Sequence, residues 1–447
     1  MSDSLNLNTT PLFIAAGTEY EATIVNGGPG TVYYGTTKAV TSSSYDGSIA
    51  SGASVHITSS KWIIGTTITK VFIDRDTKAR DETDIKVVGE TVDLDVSGTY
   101  DEASNLQAAI DNVDSQGGGK VLLPATPYNT GFIKIGSLID IPQAVNFLGQ
   151  GQRETRLKCS AAAAGLRFNA WDGVTTNSRG GRCGDFHLDG GDTATTCMDV
   201  HVAVNREFSS FRVSDIASSG IGLLVRGAQN TSFHDFDIQA DTGSATLATG
   251  LKVTNSAGSC RFSKYSILGC DYAGIWVTQT DSGGQYGIGY PEPRYISFDD
   301  GIVEHGDPDT CCAVRIHSGR DLWFSRQALF VATDQASSGA YSIVEINDSG
   351  AGGTRQVYFD RGQASGGTDP SKNSTAFDIQ EGSAAYYVRI SNWQFGNNTY
   401  GVVAANGQTV VELDAYNNTS TDTIVSIAGT GVIYSRAVGA TSWTTTT

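Results

Sequence analysis

The sequence predicts an all-β protein whose body is a parallel β-solenoid, and three observations predict it. Glycine is abundant, with 53 of 447 residues, while only 17% of residues are charged. Because glycine is unfavourable inside helices, this composition argues against an all-α protein. Short apolar segments, separated by Gly, Asn, Asp and Ser, recur every 23 to 39 residues. Such an irregular, short repeat favours stacked solenoid coils over a propeller or a large sandwich.

The chain divides into four parts. Residues 1–75 hold short alternating strands between turn signals such as NGGPG and SYDG, and predict a small β-rich domain. Residues 76–98 are rich in charges of both signs and predict a solvated connector. Residues 99–437 form the predicted solenoid. Residues 438–447 form a polar C-terminal tail.

One helix is predicted, over about residues 100–114, at the start of the solenoid. Thr99 lies three residues before Glu102, which is the spacing of a capping box. Apolar residues follow at helical spacing, and the glycines at 117–119 end the helix.

Each repeat of the body contains two strands. The first is a four-residue segment such as GLLV (222–225), GLKV (250–253), GIWV (274–277) or AVRI (313–316), and a second strand follows each. In a solenoid, equivalent residues of successive coils stack into ladders. We therefore expect an inward ladder made of Val225, Val253, Val277 and Ile316.

The charge balance limits the partners. With 30 basic and 47 acidic residues, the net charge of −17 disfavours nucleic acid and anionic membranes. No apolar segment is long enough for a membrane span and no signal peptide is visible, so we expect synthesis in a cytoplasm. The seven cysteines show no zinc spacing, and no P-loop or other cofactor motif is present, so we expect neither a metal nor a cofactor.

The start of the body resembles a known family. The segments that carry the resemblance are the helix at 106–111, the glycine turn at 117–119, VLLP at 121–124, FLGQG at 147–151 and LDGG at 188–191. They are similar to the start of pectate-lyase-like right-handed β-helix proteins, which include polysaccharide lyases, glycosidases and bacteriophage tailspikes. The resemblance implies a right-handed parallel β-helix with a capping helix. It departs from the family at 124–128, where Pro-Ala-Thr-Pro-Tyr replaces the usual Pro-Ala-Gly-x-Tyr.

The N-terminal segment resembles a small β domain of phage virion proteins, in VNGGPGTVYYG followed by DGSIASGASVHI. Together the two resemblances imply a tailspike or receptor-binding fibre. They imply a homotrimer located in the virion, bound to virion structural proteins through residues 1–75, with a bacterial surface glycan as ligand.

The longest excursion between strands indicates where a carbohydrate could bind. It runs from 278 to 295 and is rich in tyrosine, and aromatic faces stack on sugar rings. The candidate carbohydrate-binding residues are Trp276, Tyr286, Tyr290, Tyr295 and His305. The alternative is an ordinary solvent-exposed loop.

Four carboxylates are candidate catalytic residues, namely Asp235, Asp299, Asp300 and Glu304, because glycoside hydrolysis uses two carboxyl groups. Aligned second strands put Asp235 and Asp300 in one outward column with Lys264 between them, and Arg326 and Arg361 farther along. If the protein is an enzyme, an endo-glycosidase is favoured over a lyase, which would use the arginines. The alternatives are a surface charge ladder on a non-enzymatic adhesin or decoration fibre, on tail or head, and a free polysaccharide lyase.

Overall fold

The computed structural model divides the chain into two compact units, Met1–Val87 and Val88–Thr447. The residues it describes are 2–7, 12–14, 20–26, 32–35, 47–51, 53–57, 61–65, 69–77, 88–91, 94–128, 130–169, 181–240, 248–255, 257–279, 292–305, 312–331, 341–347, 354, 356–366, 374–380, 387–396, 398, 400–404, 408–413, 423–427, 432–437 and 444–446.

The N-terminal unit contains two antiparallel four-stranded sheets, with strand orders β1-β8-β3-β6 and β2-β7-β4-β5. The strands are β1 (Ser2–Leu7), β2 (Leu12–Ile14), β3 (Tyr20–Asn26), β4 (Val32–Gly35), β5 (Gly47–Ile49), β6 (Ser54–Ile57), β7 (Lys61–Gly65) and β8 (Thr69–Thr77). A β-rich first domain is therefore present, as the turn pattern predicts.

The second unit contains a seventeen-stranded and an eleven-stranded sheet. Its first elements are β9 (Val88–Thr91), β10 (Ser97–Asp101), α1 (Ala103–Ser115), β11 (Gly119–Leu122), β12 (Phe132–Ile135), β13 (Leu138–Pro142), β14 (Val145–Leu148), β15 (Arg156–Cys159) and β16 (Gly165–Asn169). Strand β9 pairs in parallel with β11. The body therefore begins at Val88, inside the segment predicted to be a connector, rather than at Thr99.

From β17 onward, long strands of one sheet alternate with short strands of the other. The long strands are β17 (Gly181–Asp189), β19 (Arg206–Ile216), β21 (Ser232–Ala240), β23 (Arg261–Leu268), β25 (Arg294–His305), β27 (Arg320–Val331), β29 (Gln356–Ser365) and β31 (Tyr387–Gly396). The short strands are β18 (Thr196–His201), β20 (Ile221–Arg226), β22 (Thr249–Thr254), β24 (Ala273–Thr278), β26 (Cys312–Ile316), β28 (Tyr341–Ile346), β30 (Ser374–Ile379), β32 (Tyr400–Ala404) and β34 (Thr423–Ile427). The last coils add β33 (Gln408–Leu413), β35 (Val432–Ala437) and β36 (Thr444–Thr446).

Successive coils pair in parallel and in register, which confirms the predicted all-β, parallel β-helix. The predicted ladder of Val225, Val253, Val277 and Ile316 is present, with each side chain fully buried. The predicted right-handed winding of the β-helix is the hand that connections between parallel strands take. Among the described strands of this unit, only β36 pairs antiparallel, with β35, and it lies in the segment predicted to be a polar tail.

The predicted helix is present over Ala103–Ser115, and its buried face packs on β9, β11 and β13. The predicted capping box is wrong, because Glu102 makes no side-chain capping bond. Thr99 is part of β10, and its amide donates to Asp95 at 2.9 Å. Asp101 accepts a hydrogen bond from the amide of Ala103 at 3.0 Å instead. The side chain that bonds to the first turn is therefore two residues later than the predicted Thr99.

Phenylalanines form the centre of the core. Six rings stack on consecutive long strands with centroid separations of 4.5 to 5.0 Å, from Phe208 through Phe233, Phe262, Phe298 and Phe324 to Phe359. Each stacked pair adds about 0.5–1.5 kcal/mol beyond area burial. This column makes the long strands a rigid scaffold for the residues on their outer face.

Candidate functional site

Each long strand bends at a corner residue that has a positive φ, and β19, β25 and β27 carry a second positive φ nearer one end. Phe208 and Phe211 both point inward although they are three residues apart, because Ser210 between them has φ 54° and shifts the alternation. The same position on the eight long strands forms one column, the corner column: Asp185, Ser210, Asp235, Lys264, Asp300, Arg326, Arg361 and Asn392. The predicted alignment of Asp235, Lys264, Asp300, Arg326 and Arg361 is therefore confirmed.

Asp299 lies next to the corner and is fixed by ion pairs. Arg326 donates from Nε to Oδ1 at 3.0 Å and from its terminal nitrogen to Oδ2 at 2.6 Å. Ser325 donates to Oδ1 at 2.7 Å. These bonds, led by Arg326, lower the pKa of Asp299 below its ordinary value. Asp299 is therefore a fixed carboxylate that accepts hydrogen bonds, and it is unsuited to act as a general acid.

Asp235 and Asp300 lie farther apart. Their strands are separated by β23, so the register puts them about 10 Å apart along the axis, near the upper limit for an inverting glycosidase. Asp235 Oδ2 lies 2.8 Å from Nδ1 of His234, and Lys264 Nζ lies 3.9 Å from Asp235 Oδ1. Asp300 is exposed. The two carboxylates share a column, but a lysine lies between them.

A second column, the outer column, runs parallel to the corner column over ten coils. Its members are in register and point outward: Lys120, Asn146, Arg182, Glu207, Ser232, Arg261, Ser297, Trp323, Tyr358 and Arg389. Trp323 and Tyr358 stack with centroids 5.6 Å apart and planes within 8°. Trp323 is 40% exposed although it is a large apolar residue. An exposed aromatic stack on a rigid strand face is typical of a binding site.

The outer column has a gap beside Trp323. One face of the indole contacts Tyr358, and on its other side the next residue in register is Ser297, which has only a hydroxyl. Arg261 follows on the next coil, and its side chain is 64% exposed. Two coil spacings, about 10 Å, therefore separate the levels of Arg261 and Trp323. These are backbone levels, and a ring at about 4 Å from the indole would lie at the level of Ser297, between the two coils.

Polar groups surround this gap, which we call the Ser297 gap. Asp299, two residues farther along β25, holds Arg326 and lies 3.5 Å from Arg261. Tyr295, two residues before Ser297, is 52% exposed and has φ 56°. The gap therefore combines an aromatic face with a carboxylate, two guanidinium groups and a phenol, which are the groups that bind the apolar face and the hydroxyls of a sugar.

The structure separates the other predicted carbohydrate-binding residues from this gap. Trp276 lies on β24 of the eleven-stranded sheet, with Lys252 Nζ 3.9 Å from its ring centroid and His317 at 5.7 Å. Tyr286 and Tyr290 lie outside the described residues, as does the side chain of His305, which ends β25. Glu304 is exposed beyond the corner, in register with Leu268. Tyr295, Asp299 and Asp300 lie on the strand of the gap, and Glu304 and His305 lie at the far end of the same strand, beyond the corner.

Sequence reasoning missed Ser297, Trp323, Tyr358 and Arg261. A signal for them exists in LWFSRQ and VYFDRG, where the aromatic residue precedes an inward phenylalanine and must therefore point outward. Among the described residues, no cluster of three or more His, Cys, Asp or Glu side chains is placed to hold a metal ion. Within the same part of the chain, no helix has the length and apolarity to span a membrane.

Comparison with known proteins gives structural likeness only. No family model and no curated protein sequence matches the chain. A mannuronan C-5 epimerase A-module from Azotobacter vinelandii is 14% identical, with 76% of this chain and 96% of that chain covered at a TM-score of 0.49. An exopolygalacturonase from Thermotoga maritima is 10% identical, with coverage of 81% and 94% and a TM-score of 0.49. The surface protein and adhesin PfbA from Streptococcus pneumoniae is 10% identical, with coverage of 78% and 98% and a TM-score of 0.49. Likeness at this level does not extend to any activity.

Proposed function

We propose that this chain binds a bacterial surface polysaccharide, with one sugar ring held over Ser297 against the face of Trp323. The observation that carries the proposal is the Ser297 gap, one ring deep, between Trp323 and Arg261. A pyranose there stacks its apolar face on the indole, while Asp299 and Arg326 bind its hydroxyls. Because the ion pair fixes both polar groups before the sugar arrives, little side-chain entropy is lost on binding.

Binding without cleavage is the function that this geometry supports best. Hydrolysis uses one carboxylic acid that stays protonated until it donates to the leaving group. The carboxylate nearest to the gap, Asp299, has a lowered pKa because Arg326 stabilises its ionised form. Asp299 therefore serves as a fixed acceptor for sugar hydroxyls. Reducing ends released from a bound polysaccharide would indicate the endo-glycosidase alternative, and unsaturated products would indicate the lyase.

The proposal extends to a phage spike or fibre that is homotrimeric and located in the virion. Its support is the resemblance of the N-terminal segment to virion domains and of residues 99–191 to tailspike β-helices. Residues 1–75 would then contact virion structural proteins. Light scattering of the purified chain tests the trimer, and immunogold labelling of phage particles tests the location. A monomer, or unlabelled particles, would contradict this part of the proposal.

The test of the site is a binding measurement on a set of bacterial capsular and lipopolysaccharide glycans. The unmodified chain is expected to bind at least one glycan saturably. Trp323→Ala should lose that binding, whereas Tyr128→Ala, which removes a tyrosine that is 72% exposed on an early coil, should retain it. No binding to any glycan by the folded protein, or equal binding by both variants, would contradict the proposal.

A further inference from the structure

The N-terminal end of the outer column borders an open groove of about 660 Å³. Five consecutive members of the column line it, namely Lys120, Asn146, Arg182, Glu207 and Ser232. Asn205 and Asn230 add two amides. Apart from Leu148 and Gly181, the lining is polar, unlike the aromatic gap farther along the same column.

Arg206 lies at the base of this groove and is 2% exposed. Its guanidinium donates to the carbonyl oxygens of Pro142, at 3.2 Å, and Val145, and it contacts Cys183 Sγ at 3.1 Å. None of these partners carries a charge, because burial raises the pKa of the Cys183 thiol and keeps it protonated. No described carboxylate forms an ion pair with Arg206, and its Nε has no hydrogen-bond partner. A buried charge without a counter-charge is unfavourable.

Of the two cations in the walls, Lys120 has no counter-charge among the described residues, whereas Arg182 is paired with carboxylates. Lys120 is half-buried, and its ammonium group forms no ion pair or hydrogen bond with the described residues. Arg182 lies 2.9 Å from Asp185 and 3.7 Å from Glu207, and Glu207 also contacts His234 at 3.1 Å. The lining therefore holds three cations and one carboxylate, in a chain whose net charge is −17.

We propose that this groove binds an oxyanion, that is, a carboxylate, phosphate or sulfate group, between Lys120 and Arg182 and above Arg206. The anion supplies the counter-charge that Arg206 and Lys120 lack, and the asparagine amides donate to its remaining oxygens. The site is separate from the Ser297 gap, which lies four coils away, or about 19 Å along the axis. A free anion and an acidic group on a bound polymer share this chemistry.

The first experiment measures binding of inorganic phosphate to the full chain at constant ionic strength, by equilibrium dialysis. One saturable site per chain is expected. Lys120→Ala should weaken binding at least tenfold, whereas Lys134→Ala should leave it unchanged, because Lys134 is a half-buried lysine on the neighbouring strand β12 and outside the groove. No saturable binding, or equal loss in both variants, would overturn the proposal.

The second experiment supplies the missing charge. Asn146 Oδ1 accepts the amide of Arg182 at 2.8 Å, and an aspartate oxygen can accept the same bond. Asn146→Asp is therefore expected to raise the melting temperature and to remove the phosphate response. A lowered melting temperature together with unchanged phosphate binding would overturn the proposal.

Competition separates the two sources of the anion. Displacement of phosphate by glucuronate, but not by glucose, would support an acidic group on a polymer. Displacement by sulfate alone would support a free anion, and displacement by glucose would overturn the proposal. Trp323→Ala should retain phosphate binding, so a failure of this site and a failure of the glycan site are distinguishable.

Discussion

The hydroxyl of Tyr265 donates a hydrogen bond of 2.5 Å to Oε1 of Gln327, across the coil that lies between them. Both side chains are buried, and the intervening residue in register is Gly301. The tyrosine ring fills the space that a side chain at 301 would occupy. This bond therefore links the two coils on either side of β25, the strand that carries Asp299 and Asp300, and it passes Gly301 on the inner side of that strand.

Gly301→Ala should destabilise the protein by about 1–3 kcal/mol, because the added atom overpacks the core. Its Cβ would lie 2.2 Å from Cζ of Tyr265, a ring that is buried and held by its hydrogen bond to Gln327. Urea unfolding followed by circular dichroism measures the change. Gly396→Ala is the matched control, since its Cβ meets only the Ser365 hydroxyl at 3.2 Å, and it should cost less than about 0.5 kcal/mol. Equal midpoints for the two variants would contradict this account of the packing.

Lys264→Asn should stabilise the protein by about 0.5–1 kcal/mol. Lys264 occupies the corner column with φ 52°, a region that asparagine tolerates better than lysine. Thermal unfolding is the measurement. Ser263→Asn, one residue earlier and with no positive φ, should give no gain. A loss of stability in Lys264→Asn would show that its contact with Asp235 outweighs the backbone strain.

The Asp299–Arg326 pair should make stability depend on acid pH. Because the folded state lowers the pKa of Asp299, its contribution is fully present above the unfolded pKa of about 4 and is lost as pH falls through the lower folded value. Melting temperatures between pH 2 and 6 should therefore fall less steeply for Asp299→Asn than for the unmodified chain. Arg326→Gln should show part of this flattening, because Ser325 and Arg261 still lower the pKa of Asp299, and the double variant should match Asp299→Asn. Additive effects would mean that the two residues act separately.

Ser297→Phe should abolish glycan binding without loss of stability. The new ring would continue the Trp323–Tyr358 stack and fill the Ser297 gap. Isothermal titration with a glycan that the unmodified chain binds measures the effect, and we expect at least a tenfold weaker affinity. Ser266→Phe, an outward serine beyond the corner on β23, is the control and should bind normally. Retained binding in Ser297→Phe would place the sugar elsewhere.

Much of the fold could be predicted from the sequence because each coil repeats an apolar residue at the same inward position. The spacing of Val225, Val253, Val277 and Ile316 was sufficient to align the short strands, and the column from Asp235 to Arg361 followed from the same alignment. The capping box could not be predicted correctly, because Thr99 belongs to a strand that pairs with β12. That pairing is a tertiary contact, and it outweighs the local capping signal.

The site was harder to predict because the bend in each long strand decides which of its side chains point outward. The corner residue with positive φ shifts the alternation, so inward residues are three apart, as in FSSF at 208–211 and FHDF at 233–236. Without that shift, a regular alternation along the whole strand cannot place the residues on both sides of the corner on their correct faces. Trp276 lies on the strand that precedes β25 in sequence, yet β24 and β25 belong to different sheets.

The most direct test of the central claim is a crystal structure of the chain with an oligosaccharide of the glycan that it binds. We expect a sugar ring over Ser297, stacked on the face of Trp323 opposite Tyr358, with hydroxyls bonded to Asp299 and Arg326. A sugar bound instead beside Trp276 on the eleven-stranded sheet, with the Ser297 gap occupied only by water, would contradict it.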